Sequence, residues 1–253
     1  RGNRERGKGK ATLPSRVRRG PEIGRSLASW LRIRENSRPM LELGFKSLLA
    51  YLIGSLIGGL IVGRLKGGVD IRTLGSGNAG GTNALRTQGF AFAVWVMLID
   101  VSKGWLATAV LPGTDIPAIG IDEGIGRDWL TVACATGAVL GHVYPVWYGF
   151  RGGKGAATLI GVLIGIGPYA LLPVMGVWLL VVMLSGFVGL ATMIAVAAFP
   201  AYLVIAVDEY SRAYLVFGLA MIAFVCYTHR TNIERMLAGT ENRAQRLWIL
   251  RPR

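Results

Sequence analysis

The chain has 253 residues, of which 52% are hydrophobic and 17% charged, and its mean hydropathy is +0.47. A soluble domain of this composition would lack the polar surface that keeps it in solution. The apolar residues also form blocks about as long as the ~20 residues that a helix needs to cross a bilayer. The sequence therefore predicts an all-α, polytopic membrane protein embedded in a lipid bilayer, and it excludes an ordinary soluble globular domain.

The net charge of +14 is concentrated at the start of the chain, where residues 1–39 hold 12 of the 28 lysines and arginines. This segment has few large apolar residues and no helical period, so we predict a disordered extension. Nucleic-acid binding is the alternative for such a basic run, but a solvated tail is favoured and no nucleic-acid partner is expected. Because Met40 directly precedes the first apolar block, a non-native or mis-annotated extension is the preferred interpretation. Residues 40–241 then form the membrane domain, and residues 242–253 form a basic tail.

Seven apolar blocks predict about seven transmembrane helices, at 45–63, 90–111, 129–147, 155–171, 173–189, 191–207 and 213–228. The stretch 155–207 is almost continuously apolar, and we divide it where Gly and Pro favour turns, at 167–173 and at 185–189. Cys134 and Cys226 lie inside apolar blocks without a partner at metal-ligand spacing, so both are predicted to be packing residues.

The loops after the first, third and seventh spans are basic and leave the membrane on the same side. The acidic loops fall on the other side, so the positive-inside rule places the three basic loops in the cytoplasm. The basic residues 1–39 would then lie outside, which contradicts the rule. Either that segment is not native, which we prefer, or the topology is inverted.

The first polar loop is rich in hydrogen-bonding groups and reads Gly75-Ser76-Gly77-Asn78-Ala79-Gly80-Gly81-Thr82-Asn83-Ala84-Leu85-Arg86. Glycines let backbone N–H groups approach an anion closely. The side chains of Ser76, Asn78, Thr82 and Asn83 add neutral donors, and Arg86 adds a planar charged fork. This pattern favours a phosphate-binding loop over a turn-rich connector.

The second polar loop places Arg151 and Lys154 on either side of Gly152-Gly153, and a helix is predicted to start just after Gly155. Backbone N–H groups, the positive end of a helix and two cations together indicate an anion site. The spacing differs from a nucleotide P-loop, so ATP is not inferred. His142, near the end of the third span, is either a functional group or a polar interface residue.

The C-terminal polar segment carries His229 and Asn232, which share a face if the helix continues. The alternative is an ordinary polar cap on the last span. Inside the second span, Asp100 and Lys103 are also three residues apart. Ionisable groups are costly within a membrane, so we expect these two to pair with each other.

The chain shows no paired-carboxylate site and no cluster of metal ligands, so neither a metal nor another cofactor is expected. The residues alone predict a membrane protein that handles a phosphorylated small molecule, and they leave the class of protein open. The alternatives are an enzyme, a transporter or flippase of a phosphorylated metabolite or lipid, and a basic-tailed scaffold. The lack of an internal repeat and of polar groups near the midplane speaks against a transporter.

The three polar segments resemble the cytoplasmic motifs of the bacterial acyl-phosphate-dependent glycerol-3-phosphate acyltransferases. The resemblance runs from about Met40 to Glu241. It rests on 75–86, on Gly141-His142 through 152–155, and on His229 through Asn232 to Glu241. It implies a seven-helix enzyme of the bacterial cytoplasmic (inner) membrane, with its site facing the cytoplasm. The implied reaction moves a fatty acyl group from acyl phosphate to the 1-hydroxyl of glycerol 3-phosphate, giving lysophosphatidic acid and phosphate, the first step of phospholipid synthesis.

The resemblance also implies roles for individual residues. The catalytic candidates are Ser76, Arg86, His142, Lys154, His229 and Asn232. The phosphate cradle comprises Gly75, Gly77, Asn78, Thr82, Asn83, Gly152, Gly153 and Gly155, and the supporting residues are Asp100, Lys103, Arg151 and Glu241. Acyl-CoA-dependent acyltransferases carry Asp five positions after a His, whereas here Trp147 follows His142 at that place. This difference favours acyl phosphate as the donor. The family commonly has Lys where this chain has Arg151, which keeps the charge.

Overall fold

The computed structural model describes residues 38–250, and every regular element in that range is helical. We number the α-helices in chain order as α1 Arg38–Gly54, α2 Gly58–Leu65, α3 Gly81–Gln88, α4 Phe90–Trp105, α5 Arg127–Val143, α6 Ala156–Ile166, α7 Leu171–Ser185, α8 Val188–Ala195, α9 Ala198–Ala206, α10 Arg212–Thr228 and α11 Arg230–Leu237. The predicted all-α fold is confirmed. The prediction for residues 1–37 lies outside the described residues.

Four helical stretches are long and apolar enough to cross a membrane, namely Phe90–Gly113, Arg127–Tyr148, Pro168–Ser185 and Val188–Ala206. Two bent pairs raise the number to six: α1 with α2, which meet at 45°, and α10 with α11, which meet at 54°. The apolar helix α6 has only 11 residues. The predicted polytopic membrane protein is confirmed, and the count of seven spans stays a prediction.

The helix breaks lie close to the predicted ones. Within 155–207, the chain leaves regular α-helix at Gly167 and again at Gly186, as the Gly and Pro positions indicated. The first span differs, because α1 begins at Arg38, well before residue 45, and the helix is interrupted between Gly54 and Gly58. Apolar content alone misses the early start because this part of α1 includes the charged residues Glu42 and Lys46. It misses the interruption because the residues between Gly54 and Gly58 continue the apolar block.

Glycines let two pairs of helices pack backbone to backbone. A Cβ on Gly54 would overlap the backbone of Ala138, and one on Gly141 would overlap the carbonyl of Tyr51. This brings α1 against α5, and Gly161 brings α6 against α4 in the same way. Close backbone approach replaces the hydrophobic driving force that lipid does not supply.

A buried network of ion pairs joins the N-terminal end of α1 to the start of α5. This end of α1 is remote from the first polar loop. Glu42 accepts from Lys46 at 2.7 Å and from Arg127 at 2.9 and 3.0 Å, and both cations also donate to the carbonyl of Pro112. The carboxylate of Glu42 is fully buried but fully paired, which offsets the cost of removing it from water.

The main apolar core lies among α5 to α10, where Val139, Val162, Phe199, Phe217 and Val225 are all buried. A smaller core contains Cys134, which is buried as predicted for a packing residue; Cys226 is partly exposed, and the two cysteines are not paired. These cores hold α6 and α10 in place, and both helices start or end at the polar segments described next.

Candidate active site

The first polar loop is folded around Asn83. Its side-chain oxygen accepts from the N–H of Ser76 at 2.9 Å, and its side-chain nitrogen lies 2.9–3.0 Å from the carbonyls of Ile71, Leu74 and Asn78. Asn83 is buried at 1% exposure. Its polar atoms are engaged with the loop itself, so Asn83 holds the loop in shape. Asn83 also lines the cavity described below, and its contact with substrate stays a prediction.

The glycines of this loop have different tasks. Gly75 and Gly77 adopt positive φ of 58° and 74°, which glycine tolerates best, and neither lines the cavity described below. Gly80 is the N-cap of α3, so the N–H groups of Gly81 and Thr82 in the first turn have no partner inside the helix. The free amides at the cavity are therefore those at the start of α3, and a phosphate cradle formed by Gly75 and Gly77 stays a prediction.

The second polar loop departs from the prediction at its glycine pair. The N–H of Gly152 donates to the carbonyl of Val143 at 3.1 Å, and that of Gly153 donates to the carbonyl of His142 at 3.0 Å. Both amides are occupied, so they do not cradle a phosphate. Glycine is required here for packing, because a Cβ on either residue would overlap His142.

The unpaired N–H groups of this region lie just downstream, in the first turn of α6. Gly155 is the N-cap with φ 92°, and the amides of Ala156 and Ala157 have no partner inside the helix. Both alanines and Gly155 line the cavity. The start of α6 and the start of α3 thus present two positive helix ends to one space.

Lys154 lies at the start of α6 and contacts the third polar segment. Its ammonium donates to the side-chain oxygen of Asn232 and lies 3.4 Å from the hydroxyl of Thr231. Burial, with the positive charge of Arg235 nearby, lowers the pKa of Lys154 to about 8. The side-chain partners of Lys154 are neutral oxygens, and a phosphate group would bind its ammonium more strongly than they do.

Glu241 organises the third polar segment. It accepts from the amide of Asn232 at 2.9 Å and from Arg235 at 2.6 Å. Nδ1 of His229 lies 2.9 Å from the carbonyl of Val225, which can only accept, so Nδ1 carries a proton in this bond. In a neutral imidazole, Nε2 of His229 is then a hydrogen-bond acceptor. The supporting role predicted for Glu241 agrees with these contacts.

His142 belongs to a buried charged group behind the glycine pair. Lys103 donates to Asp100 Oδ1 at 2.8 Å and to the carbonyl of Leu56 at 2.9 Å, which confirms the predicted pairing of Asp100 with Lys103. Asp100 Oδ1 also accepts from the N–H of Gly58 and lies 3.4 Å from Nδ1 of His142. The His142 ring packs between Asp100 and Gly153 and, with Asp100, also lines the cavity described below, so its catalytic role stays a prediction.

Residues from all three polar segments line one cavity of about 290 Å³. Its polar lining includes Ser76, Asn78, Thr82, Asn83, Arg86, Asp100, His142, Lys154, His229, Asn232, Glu241 and Asn242. Arg86 is exposed and forms no salt bridge with any described residue. The predicted residues Arg151, Lys103, Gly152 and Gly153 do not line the cavity.

The rest of the cavity wall is apolar and follows the helices away from the polar end. On α10 it includes Val225, Met221 and Phe217, and on α6 it includes Leu159 and Leu163. From His229 to Phe217 the helix rises about 18 Å, at 1.5 Å per residue. The cavity therefore joins a polar end that carries Arg86 and Lys154 to a long apolar wall.

Several contributors escaped prediction from the sequence. Asp70 and Arg72 link the first loop to the second, and Asn242 lines the cavity beside Glu241. The charged pair Asp70 and Arg72, two residues apart directly before the glycine-rich motif, was a usable signal. No local signal marks Asn242, because only the folded chain brings it to the cavity.

Helices that cross a membrane, joined to a cavity with cations, unpaired helix amides and an apolar wall, define a polytopic membrane protein with a cationic, partly apolar cavity. A family model described as glycerol-3-phosphate acyltransferase matches residues 45–239. The glycerol-3-phosphate acyltransferase of Chlorobium limicola is 39% identical over 219 residues, which cover 77% of this chain and 93% of the relative. That of Chlorobaculum tepidum is 40% identical over 219 residues, covering 78% and 94%.

Solved structures agree with these relatives. The glycerol 3-phosphate form of PlsY (YgiH), an integral membrane glycerol 3-phosphate acyltransferase, has a TM-score of 0.67 and 33% identity, and covers 79% of this chain and 94% of that chain. Its lysophosphatidic acid form has a TM-score of 0.66. The chain belongs to the glycerol-3-phosphate acyltransferase family. It is an enzyme of phospholipid biosynthesis that acylates glycerol 3-phosphate, as the sequence motifs predicted, and the transporter alternative is set aside.

Proposed function

We propose that the enzyme takes its acyl group from acyl phosphate and transfers it to the 1-hydroxyl of glycerol 3-phosphate, releasing lysophosphatidic acid and phosphate. The observation that carries this proposal is the polar end of the cavity, where two helix N-termini meet Arg86 and Lys154. Two phosphate groups held close together repel each other, and a site with two positive helix ends and two cations can screen that repulsion. The apolar wall along α6 and α10 would receive the fatty acyl chain.

The residues proposed to act on substrate are Ser76, Arg86, Lys154, His229 and Asn232. Arg86 and Lys154 bind phosphate, and Ser76 orients the acyl carbonyl or the attacking hydroxyl. His229 and Asn232 position glycerol 3-phosphate, and Nε2 of His229 accepts one of its hydroxyl hydrogen bonds. Holding both substrates in attack geometry can contribute as much as roughly 7–11 kcal/mol to lowering the barrier.

The chemical step needs no dedicated protein base. The 1-hydroxyl oxygen attacks the acyl carbonyl carbon, the bond from that carbon to the phosphate oxygen breaks, and the departing phosphate takes the hydroxyl proton. A His229→Ala variant that kept its affinity for glycerol 3-phosphate, lost turnover and regained it at high pH would contradict this scheme.

The decisive experiment measures phosphate release by purified protein in detergent, given palmitoyl phosphate with or without glycerol 3-phosphate. We expect release that depends on glycerol 3-phosphate and equals the lysophosphatidic acid formed, and we expect palmitoyl-CoA to be inactive. Arg86→Ala and Lys154→Ala should abolish release, whereas Lys66→Ala, which removes an exposed cation of the first loop, should not. Acyl transfer from palmitoyl-CoA but not from palmitoyl phosphate would overturn the proposed donor.

We further propose that the cavity opens to the cytoplasm from the bacterial inner membrane, as the charges of the loops predict. Cys134 and Cys226 can be replaced by Ala, and a single Cys then introduced at Lys66 or at Glu123. A membrane-impermeant maleimide should label Glu123→Cys in intact spheroplasts and Lys66→Cys only in inverted vesicles. The reverse pattern would establish the opposite orientation.

A further inference from the structure

Arg72 connects the first polar loop to the second through the backbone. Its Nη1 donates to the carbonyl of Arg151 at 2.8 Å and to that of Tyr148 at 3.1 Å. Its Nε and Nη2 donate to both carboxylate oxygens of Asp70, at 2.8–3.2 Å. One guanidinium therefore binds the carboxylate of Asp70 on one side and two backbone carbonyls on the other. The single ammonium group of a lysine would not make all of these hydrogen bonds.

The two carbonyls held by Arg72 flank a turn that is unfavourable by itself. Gly149 adopts φ 65° and ψ 33°, and Phe150 follows with φ 59°. A bulky residue in the left-handed region is strained and persists there only where its surroundings hold it. The side chain of Phe150 is 58% exposed, so packing does little of that holding. The hydrogen bonds that Arg72 donates to the carbonyls of Tyr148 and Arg151 lie at the two ends of the turn, where they hold its conformation.

The turn is followed directly by the residues that set the phosphate site. Gly152 and Gly153 are fixed by hydrogen bonds to Val143 and His142, and Lys154 comes next. With Arg72 holding the residue before this pair, the loop is fixed from both sides. A shift of Arg151 would be passed on through the pair to Lys154 and to the first turn of α6.

We propose that Arg72 is a positioning residue for glycerol 3-phosphate binding, which acts by clamping the 148–151 turn so that Lys154 and the start of α6 face the substrate phosphate. This inference rests on the proposed role of Lys154. Asp70 completes the clamp by orienting the guanidinium, and its hydrogen bonds to Arg72 lower the pKa of the Asp70 carboxyl. The clamp therefore stays charged at neutral pH.

The test measures glycerol 3-phosphate affinity directly, by calorimetry on purified protein, together with KM and kcat. We expect Arg72→Gln and Arg72→Lys to weaken binding roughly tenfold or more, with a smaller fall in kcat. Lys66→Gln removes an exposed cation nearby and should bind like the parent protein. Arg72→Gln with unchanged affinity, or with a loss in kcat alone, would overturn the proposal.

A second variant separates the clamp from a general loss of folding. Phe150→Gly removes the penalty of the left-handed turn, so the loop needs Arg72 less. We expect Phe150→Gly to restore much of the binding lost in Arg72→Gln. No restoration would contradict the clamp. Because binding is measured without an acyl donor, failure here is distinct from failure of the acyl phosphate proposal, which the phosphate-release assay reports.

Discussion

Gly152 and Gly153 lie between the strained turn at Phe150 and Lys154, and their lack of side chains lets the loop pack against His142. The sequence suggested free amides for an anion, but both N–H groups are donated to backbone carbonyls, and the absent side chains make room for His142. Loops with free glycine amides and loops with close packing have the same composition. Only the positions of neighbouring carbonyls distinguish them.

Gly153→Ala should therefore damage the fold of the site. Its Cβ would overlap the His142 imidazole, whose ring is buried and cannot easily move. We expect the free energy of unfolding to fall by about 1–3 kcal/mol, as for overpacking elsewhere, with loss of acyl transfer. Gly176→Ala is the matched control, because Gly176 lies within α7 with open space around it. Equal thermal stability of the two variants would count against this interpretation.

The lowered pKa of Lys154, about 8, predicts a pH dependence of substrate affinity. Only the ammonium form binds phosphate strongly, so KM for glycerol 3-phosphate should be constant between about pH 7, where the substrate phosphate is largely a dianion, and pH 8. Above it, KM should rise by as much as about tenfold per pH unit, since each unit removes that share of the protonated form. Lys154→Arg, whose charge does not titrate in this range, should show no such rise. A parent KM that stays flat to pH 10 would refute the prediction.

The stability of the fold should change in the opposite direction over the same pH range. The folded pKa of Lys154 lies below the ordinary lysine value of about 10.4, so the unfolded chain binds this proton more tightly. Its contribution makes the free energy of unfolding rise with pH between these two values. Thermal unfolding followed alongside KM therefore separates loss of substrate binding from loss of structure.

At the scale of elements, the short helices α3 and α6 contribute backbone groups that no side-chain motif records. Each begins after a glycine N-cap, and each places the N–H groups of its first turn at the cavity. Helix N-termini attract anions through these unpaired groups and the helix dipole. The element boundary, more than the identity of the glycines, therefore sets the anion site.

Gly81→Pro tests the contribution of α3. Proline is tolerated at the first position of a helix, and Gly80 before it is already extended, with φ −91° and ψ 171°. The substitution deletes one N–H group, and we expect KM for one of the two phosphorylated substrates to rise about tenfold, as for a lost hydrogen bond to a charged group. Gly81→Ala is the control, because it makes the same contact with Met97 and keeps the N–H. Equal kinetics for the two variants would remove α3 from the anion site.

At the scale of the whole molecule, the enzyme depends on the assembly of three segments that are far apart in the sequence. Ser76, Lys154 and Asn232 line one cavity because α1 packs on α5 and α4 on α6 at glycine contacts. Residues 1–39 lie outside the family match, which begins at residue 45. We propose that residues 40–241 form the acyltransferase domain. The tail that follows is attached to it, because the N–H of Ala244 donates to the carbonyl of Gly186 and Asn242 lines the cavity.

A chain that starts at Met40 should keep its acyl transfer rate within about twofold and its thermal stability, since the buried network of Glu42, Lys46 and Arg127 stays intact. Phosphate release and thermal unfolding, compared with the full chain, check this. Complete loss of activity from a folded, shortened protein would instead support a functional role for the basic extension.

The sequence by itself determined the class of the protein. The length of the apolar blocks predicted membrane helices, Gly and Pro marked the breaks at Gly167 and Gly186, and three motifs predicted the acyltransferase family. These features are local, because a span needs only a run of apolar residues and a turn needs only a few flexible ones.

The tertiary structure decided which polar groups are left for substrate. Asn83, Gly152 and Gly153 are consumed by internal hydrogen bonds or packing, and the first turns of α3 and α6 are not. Arg72 reaches a loop that follows it by almost eighty residues in the sequence. Hydrogen-bond partners at such separations depend on how the helices pack, and no pattern within one segment records them.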